Sequence, residues 1–130
     1  EKWSQNIFTT RWLVGGKVLD VEVDNNVPAR DWGTFFVQPS PTGEWWPVIL
    51  EKAWSKIAGN YKAAEGGMWR NPVLAITAAP LTRYAHNKMG ASELVDALEH
   101  ATHAGWPMGT STGRNCVRYG LSRGHAYSVF

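Results

Sequence analysis

Apolar and polar residues alternate near the start of the chain in a way that predicts a β-hairpin. Two apolar-rich segments, residues 7–14 and 17–24, flank the pair Gly15-Gly16, and glycine accepts the positive φ angles of a two-residue turn. In the second segment, leucine and valine alternate with three acidic residues: Asp20, Glu22 and Asp24. This pattern predicts a strand that buries one face and leaves the other in water.

Two helices are predicted where apolar residues recur at three- and four-residue steps. The first covers residues 44–58, with Pro47 in its first turn and Gly59 just past its end. The second covers residues 92–104 and starts from Ser92 as the N-cap. Its expected buried stripe consists of Leu94, Val95, Leu98 and Ala101.

Short apolar runs predict three further strands, at residues 73–77, 106–112 and 125–130. A basic loop, residues 113–124, separates the last two. Helices and strands thus mix along the chain, and the predicted fold class is α+β. Gly66-Gly67 is a place where the chain can bend sharply, and we place a domain boundary there.

The composition of the chain excludes several classes of protein, among them transmembrane and disulfide-stabilised ones. No apolar run approaches 18 residues, so no transmembrane segment is expected, and the first residues carry no apolar secretion core. A single cysteine, Cys116, excludes an internal disulfide and is compatible with a reducing, cytoplasmic compartment. Eight tryptophans indicate a core or interface built on large aromatic side chains, and for most of them we predict core packing. The chain opens on Glu1 and stops at Phe130 inside an apolar run, so we expect a piece of a longer protein.

Charge becomes one-sided toward the end of the chain. No acidic residue follows Glu99, whereas Arg114, Arg118 and Arg123 are positive. Three arginines without interleaved aromatic residues make a small footprint for nucleic acid. We therefore predict no nucleic-acid partner, and interpret the segment as a basic edge facing water or another part of a larger protein.

Candidate metal ligands are few. Asp20, Glu22 and Asp24 could hold a hard cation together with Asn25 and Asn26, although strand alternation already explains their spacing. His100 and His103 share a helical face, but a third ligand is not evident, and His86 lies in a polar loop. We interpret these side chains as solvated.

Cys116 and His125 raise the question of a thiolate–imidazole pair. Such a pair needs the base within hydrogen-bond reach of the sulfur and a third group that orients the ring. Cys116 lies in mid-segment, without a helix start that would favour the thiolate. We do not predict it to be a nucleophile.

Two stretches resemble the calpain family of cytosolic cysteine proteases. Residues 45–56, WWPVILEKAWSK, are similar to the family's tryptophan-bearing helix with its Leu-Glu-Lys-Ala core, and residues 124–129 read GHAYSV. The hairpin at residues 11–24 and the glycines after the helix follow the family's spacing, so the resemblance covers nearly the whole chain.

The resemblance implies a papain-like core with two lobes and an active site between them. Residues 1–66 would end the first lobe, and residues 67–130 would begin the second. His125 would be the catalytic general base, Gly67 and Gly124 would offer backbone groups to a bound substrate strand, and Glu44 would be a calcium ligand. A second interpretation of Glu44, an acid in the first turn of a helix, stays open. The nucleophilic cysteine would precede Glu1, and the asparagine that orients the histidine would follow Phe130.

Two functions remain open at this stage. The chain is expected to belong either to a calcium-dependent endopeptidase acting on protein substrates or to a calpain-like scaffold that has lost proteolysis. The scaffold would bind protein partners, with a cytoskeletal or flagellar association, through a surface containing Trp45, Trp46, Trp54, Trp69 and Trp106. In both cases the other domains of a longer chain are expected partners.

Overall fold

The structure is a computed structural model that describes residues 6–114 and 116–130. Its elements are β1 (Ile7–Val14), β2 (Lys17–Asp24), β3 (Ala29–Arg30), β4 (Gly33–Thr34), α1 (Trp46–Ala58), α2 (Tyr61–Ala64), α3 (Arg70–Thr77), α4 (Ala91–His103), β5 (Met108–Ser111), a 3₁₀ turn (Val117–Tyr119) and β6 (Ala126–Val129). The strands described pair antiparallel as β1–β2, β3–β4 and β5–β6. Helices mixed with small sheets confirm the predicted α+β class. The chain forms two compact units, one up to Leu81 and one from Thr82 to Phe130.

The β1–β2 hairpin has the predicted strands and turn. Gly15 and Gly16 form the turn with φ angles of +58° and +77°, which glycine adopts without a steric penalty. Val21 and Val23 are buried, whereas the acidic residues that alternate with them, Asp20, Glu22 and Asp24, are exposed. The predicted buried face of β2 is therefore confirmed at Val21 and Val23, but not at Leu19, which is exposed.

Helix α1 begins two residues later than predicted and ends as predicted. Pro47 lies in its first turn, and Gly59 follows its last residue with a φ of +104°. Ile49 and Ala53 point into the first unit's core, where Ala53 is fully buried. That core contains Trp12, Val21 and Val23 from the hairpin, Ile49 and Ala53 from α1, and Ala75 from α3.

In the run Leu50 to Ala53 on α1, apolar side chains pack in the core and polar side chains bind neighbouring segments. Leu50 packs against the core, and the polar residues Glu51 and Lys52 hold two connecting segments. Glu51 Oε2 accepts the backbone N–H of Val37 at 3.1 Å. Lys52 Nζ donates to the Asp24 carboxylate at 2.6 Å and also to the Asn26 carbonyl. One turn of helix thus fixes the end of the hairpin and the segment that follows β4.

The strand predicted at residues 73–77 is wrong, because these residues form most of helix α3. A short apolar run has no periodicity that separates a buried strand from a buried helix. Pro72 falls in the first turn, where a missing N–H costs little, and the helix places Ala75 in the core. Since α3 packs on β1, the first unit extends past the glycine pair at which we placed the boundary. The assignment of residues 1–66 and 67–130 to protease lobes stays a prediction.

The second unit contains α4 and the β5–β6 hairpin. Helix α4 begins at Ala91 with Gly90 as N-cap, so the predicted capping by Ser92 is wrong. Of its expected buried stripe, Ala101 is buried and Leu94 half-buried, but Val95 and Leu98 are exposed. The strand predictions at residues 106–112 and 125–130 are confirmed over shorter ranges, β5 and β6.

The prediction that most tryptophans pack in the core is also wrong. Trp12 is buried and Trp54 half-buried, stacked obliquely with centroids 5.6 Å apart. The remaining tryptophans that the structure describes are exposed: Trp32, Trp45, Trp46, Trp69 and Trp106.

Candidate active site

His125 lies directly before β6, at the end of the β5–β6 hairpin where the connecting loop joins the strands. The register Ser111↔Ala126 makes Thr112 and His125 the next facing pair. The Thr112 N–H donates to the His125 carbonyl at 2.9 Å, and the His125 N–H donates to Thr112 Oγ1 at 3.0 Å. The backbone of His125 is therefore held from the opposite strand, as an extension of the sheet.

The loop between the two strands is closed by side chains around Ser122. Its carbonyl accepts the Thr112 hydroxyl at 2.5 Å and the Cys116 thiol at 3.4 Å. Its N–H donates to the Tyr127 hydroxyl at 3.0 Å. Three side chains thus converge on one loop residue three positions before His125.

The imidazole of His125 is exposed and contacts the edge of Tyr127, with ring centroids 4.8 Å apart and planes at 77°. Alternate residues of a strand share a face, which places these two rings together. Within residues 6–114 and 116–130, no hydrogen bond reaches either ring nitrogen. The ring nitrogens are available to a group approaching from outside this hairpin.

Sequence reasoning missed Thr112 and Tyr127. Tyr127 could have been found from the two-residue periodicity of the strand that follows His125. Thr112 could not, because its role depends on the register of β5 against β6. Register between strands joined by a loop this long is not readable from local pattern.

Cys116 does not pair with His125 in the described structure. Its thiol contacts the carbonyl oxygens of Gly113 at 3.2 Å, Ser122 at 3.4 Å and Leu121 at 3.6 Å. These contacts tie the loop together, in agreement with a structural role for Cys116.

The two glycines implied in substrate binding have open surroundings. Gly124 has a φ of +58° and Gly67 a φ of +101°, both in the region that favours glycine. A Cβ added at either position would meet no atom within 4 Å. Glycine is thus required there by backbone conformation and not by local crowding, which leaves space beside both backbones.

Glu44 lies in a turn before α1 and not in its first turn, so the helix-acid interpretation is wrong. Its carboxylate accepts the hydroxyls of Ser40 and Thr42, which holds the pKa of Glu44 below its usual range. The Glu44 N–H donates to Ser40 Oγ at 3.0 Å. One carboxylate and two hydroxyls are fewer than the six to eight oxygens that calcium takes. The described residues around Glu44 therefore do not make a calcium site on their own.

The other candidate metal ligands have protein partners. Asp20 accepts two hydrogen bonds from Arg11, at 2.7 and 2.9 Å, and Asp24 pairs with Lys52. These cations hold the pKa of each carboxyl below its usual range. On α4, His103 Nδ1 lies 2.8 Å from the Glu99 carbonyl, and the His100 ring packs edge-on against Trp106. Across the described residues, no group of three or more acids, histidines or cysteines could hold a metal ion.

The basic segment places Arg114 and Arg123 in solvent, whereas the side chain of Arg118 lies outside the described part of the chain. No helix in the described residues is long and apolar enough to cross a membrane.

The sequence of this chain is similar to those of calpain-type proteases from several organisms. The family model for calpain family cysteine proteases matches residues 1–130. Human calpain-12 is 32% identical over 120 residues, which cover 88% of this chain and 16% of that protein. The rat calpain-1 catalytic subunit is 31% identical over 121 residues, covering 88% of the chain and 17% of the subunit. The maize calpain-type cysteine protease DEK1 is 27% identical over 136 residues, covering 96% of the chain and 6% of that protein.

The chain belongs to the calpain family of cysteine proteases. It spans about a sixth of the length of the human and rat relatives that it matches.

Proposed function

We propose that this chain is the middle part of a calpain-type cysteine endopeptidase core and supplies its general base, His125. The observation that carries the proposal is an exposed imidazole with free ring nitrogens on a backbone held by Thr112, within the part of the chain that the structure describes. A base must reach its proton donor, so an accessible ring on a fixed backbone is suited to this role.

The reaction follows from the chemistry of a thiol and an imidazole. His125 accepts the proton of a cysteine thiol supplied by another segment of the native protein, and the thiolate attacks the scissile carbonyl of a protein substrate. The imidazolium then returns its proton to the leaving amine, and water hydrolyses the acyl-enzyme with His125 again acting as base. An asparagine from a further segment would orient the ring.

The backbones beside Gly67 and Gly124 are proposed to receive the substrate strand. Both offer unhindered space, which an extended peptide needs for main-chain hydrogen bonds. Glu44 is proposed as one calcium ligand, with the remaining oxygens coming from residues outside this chain. The protein is proposed to act in the cytoplasm.

The test is proteolysis of casein by the native protein that contains this chain, with calcium and with a chelator. His125→Ala should lower kcat about a thousandfold or more, because no other group takes the thiol proton. His86→Ala, an exposed histidine in a turn, is the matched control and should leave kcat unchanged. Equal activity of His125→Ala and the unaltered protein would contradict the assignment.

A second candidate is a calpain-like scaffold that binds protein partners at the cytoskeleton or flagellum. It is favoured by the exposure of Trp45 and Trp46 at the start of α1, 48% and 62%, since tryptophans are enriched at protein interfaces relative to the rest of the surface. Absence of casein cleavage by the unaltered native protein, together with a partner whose binding is lost in Trp46→Ser, would favour this function.

A further inference from the structure

The first unit contains a cavity of about 240 Å³ that the proposed protease chemistry does not use. Four aromatic side chains line it: Trp12, Phe36, Trp54 and Tyr61. They form two pairs, because Phe36 and Tyr61 stack with centroids 5.0 Å apart and planes at 5°, while Trp12 packs against Trp54. The walls are thus flat and apolar, with buried Trp12 at the inner end and exposed Phe36 at the rim.

Two hydroxyl groups in the cavity wall lack partners among the described residues. Ser55 Oγ and Tyr61 Oη are both buried atoms without a hydrogen bond. Ser55 is only 2% exposed, so water does not reach it freely. A buried hydroxyl without a partner is unfavourable by an amount comparable to a lost hydrogen bond. Both oxygens lie beneath the surface of the cavity wall, so a ligand in the cavity would contact the aromatic rings and not these hydroxyls.

The charge of the cavity has one sign. Glu51 and Glu65 contribute carboxylates to its lining, and the lining residues that the structure describes include no lysine, arginine or histidine. Among the described residues, Glu65 pairs with Lys62 at 2.5 Å on the solvent side, whereas Glu51 accepts the Val37 N–H and has no cationic partner. Burial raises the pKa of Glu51, and burial together with the negative charges of Glu51 and Asp24 raises that of Tyr61. The polar part of the cavity therefore favours a cation.

We propose that this cavity binds a small organic monocation with an aromatic body, such as an arylalkylammonium. The ammonium group would donate to the Glu51 carboxylate, the acceptor of the lining that carries a negative charge without a cationic partner among the described residues. The aromatic body would lie against the tryptophan and tyrosine–phenylalanine pairs, and the rings would also attract the cation. An anion is disfavoured by Glu51, and a neutral analogue leaves its carboxylate without a counter-charge.

The test uses calorimetric titration of the native protein that contains this chain, near neutral pH, with three probes of one shape. These are 2-phenylethylammonium, neutral 2-phenylethanol and anionic 3-phenylpropanoate. We expect the ammonium to bind with a dissociation constant of about 1 mM or tighter. Its neutral counterpart should bind roughly tenfold more weakly, because it lacks the charge-assisted hydrogen bond, and the anion should not bind.

Two variants locate the binding. Glu51→Gln keeps an acceptor for Val37 but removes the charge, and should weaken the ammonium roughly tenfold with little effect on 2-phenylethanol. Ala64→Phe introduces a ring into the cavity lining and should abolish binding of both. Glu93→Gln, on α4 in the second unit, is the matched control and should bind as the unaltered protein does.

Three results would overturn the proposal. They are equal affinity for all three probes, ammonium binding that survives both Glu51→Gln and Ala64→Phe, and no ammonium binding at concentrations well above 1 mM. The readout is binding, so it does not depend on whether the protein cleaves casein.

Discussion

Removing the Thr112 hydroxyl is the sharpest way to test how His125 is held. Thr112→Val has nearly the same shape, keeps the bond from the residue-112 N–H to the His125 carbonyl, and deletes the hydroxyl contacts. The substitution removes the bond accepted from the His125 N–H at 3.0 Å and the bond donated to the Ser122 carbonyl at 2.5 Å. The longer contact of the same hydroxyl with the His125 carbonyl, at 3.2 Å, competes for the same proton and is not counted separately. The freed groups are exposed, so water replaces the lost partner and no buried group is left orphaned.

The magnitude follows from these two bonds. A hydrogen bond in such a setting contributes about 1 kcal/mol net, so the loop end of the hairpin should lose about 2 kcal/mol of local stability. Since 1.4 kcal/mol is a factor of ten, the amide at position 112 should exchange with solvent about 30-fold faster. If His125 is the base, looser placement of its ring should also lower kcat/KM for casein about ten- to a hundredfold.

Native-state hydrogen exchange of the amide at position 112 is the assay, with intrinsic rates corrected for sequence. Thr112→Ser keeps the hydroxyl and should exchange like the unaltered protein. Thr110→Val, on the same strand and without a side-chain hydrogen bond in the described residues, should change little. Exchange in Thr112→Val that is no faster than in Thr110→Val would refute the reasoning, whatever happens to proteolysis.

Three further predictions concern stability and are checked by denaturant unfolding of the same protein. Ile49→Ala removes a side chain that is 5% exposed and should cost about 2–5 kcal/mol, while Val18→Ala, 67% exposed, should stay within about 0.5 kcal/mol; equal effects would contradict the core assignment. Gly124→Ala should cost about 1–2 kcal/mol through its φ of +58° alone, because no neighbour opposes a Cβ there. Gly124→Asn should cost less, because asparagine adopts this left-handed conformation more readily than alanine; a cost that rises with side-chain size would argue against this. Asp24→Asn should destabilise the fold near neutral pH, because Lys52 holds the folded-state pKa of Asp24 below the ordinary 3.8. The stabilisation from this pair is present above pH 3.8 and is lost as the pH falls through the lower folded-state pKa. A destabilisation by Asp24→Asn that persists in stronger acid would contradict the pairing.

Local pattern was sufficient where neighbouring residues decide the structure. The Gly15-Gly16 turn and the alternation at Val21 and Val23 belong to this class, since turn chemistry and strand period act over a few residues. Where a short run was ambiguous, at residues 73–77, packing decided: as a helix it delivers Ala75 to the core beside β1. Tryptophan exposure could not be read from composition, because aromatic residues serve cores and interfaces alike.

The sequence proposes His125 as the base but does not identify the groups that hold its backbone. His125 was selected by the motif around it, and the motif carries no information about what holds the backbone. Thr112 lies on the facing strand, so its contribution depends on a pairing across the loop at residues 113–124. The cavity beside α1 is hidden from the sequence for the same reason, since its lining joins residues from Trp12 to Ile76.

A catalytic base needs a fixed backbone position and a fixed ring orientation, and the contacts of His125 supply only the first. Its backbone is fixed through both its N–H and its carbonyl, whereas its ring meets only the edge of Tyr127 in the described residues. A ring without a hydrogen-bonded nitrogen can rotate between rotamers and can exchange its proton between the two nitrogens. A general base works in only one rotamer and one tautomer. The hairpin therefore fixes where the imidazole starts but not where it points. Under the proposed function, the direction of the ring must come from the orienting group that another segment supplies, so loss of that group should lower kcat while the exchange rate at Thr112 stays unchanged.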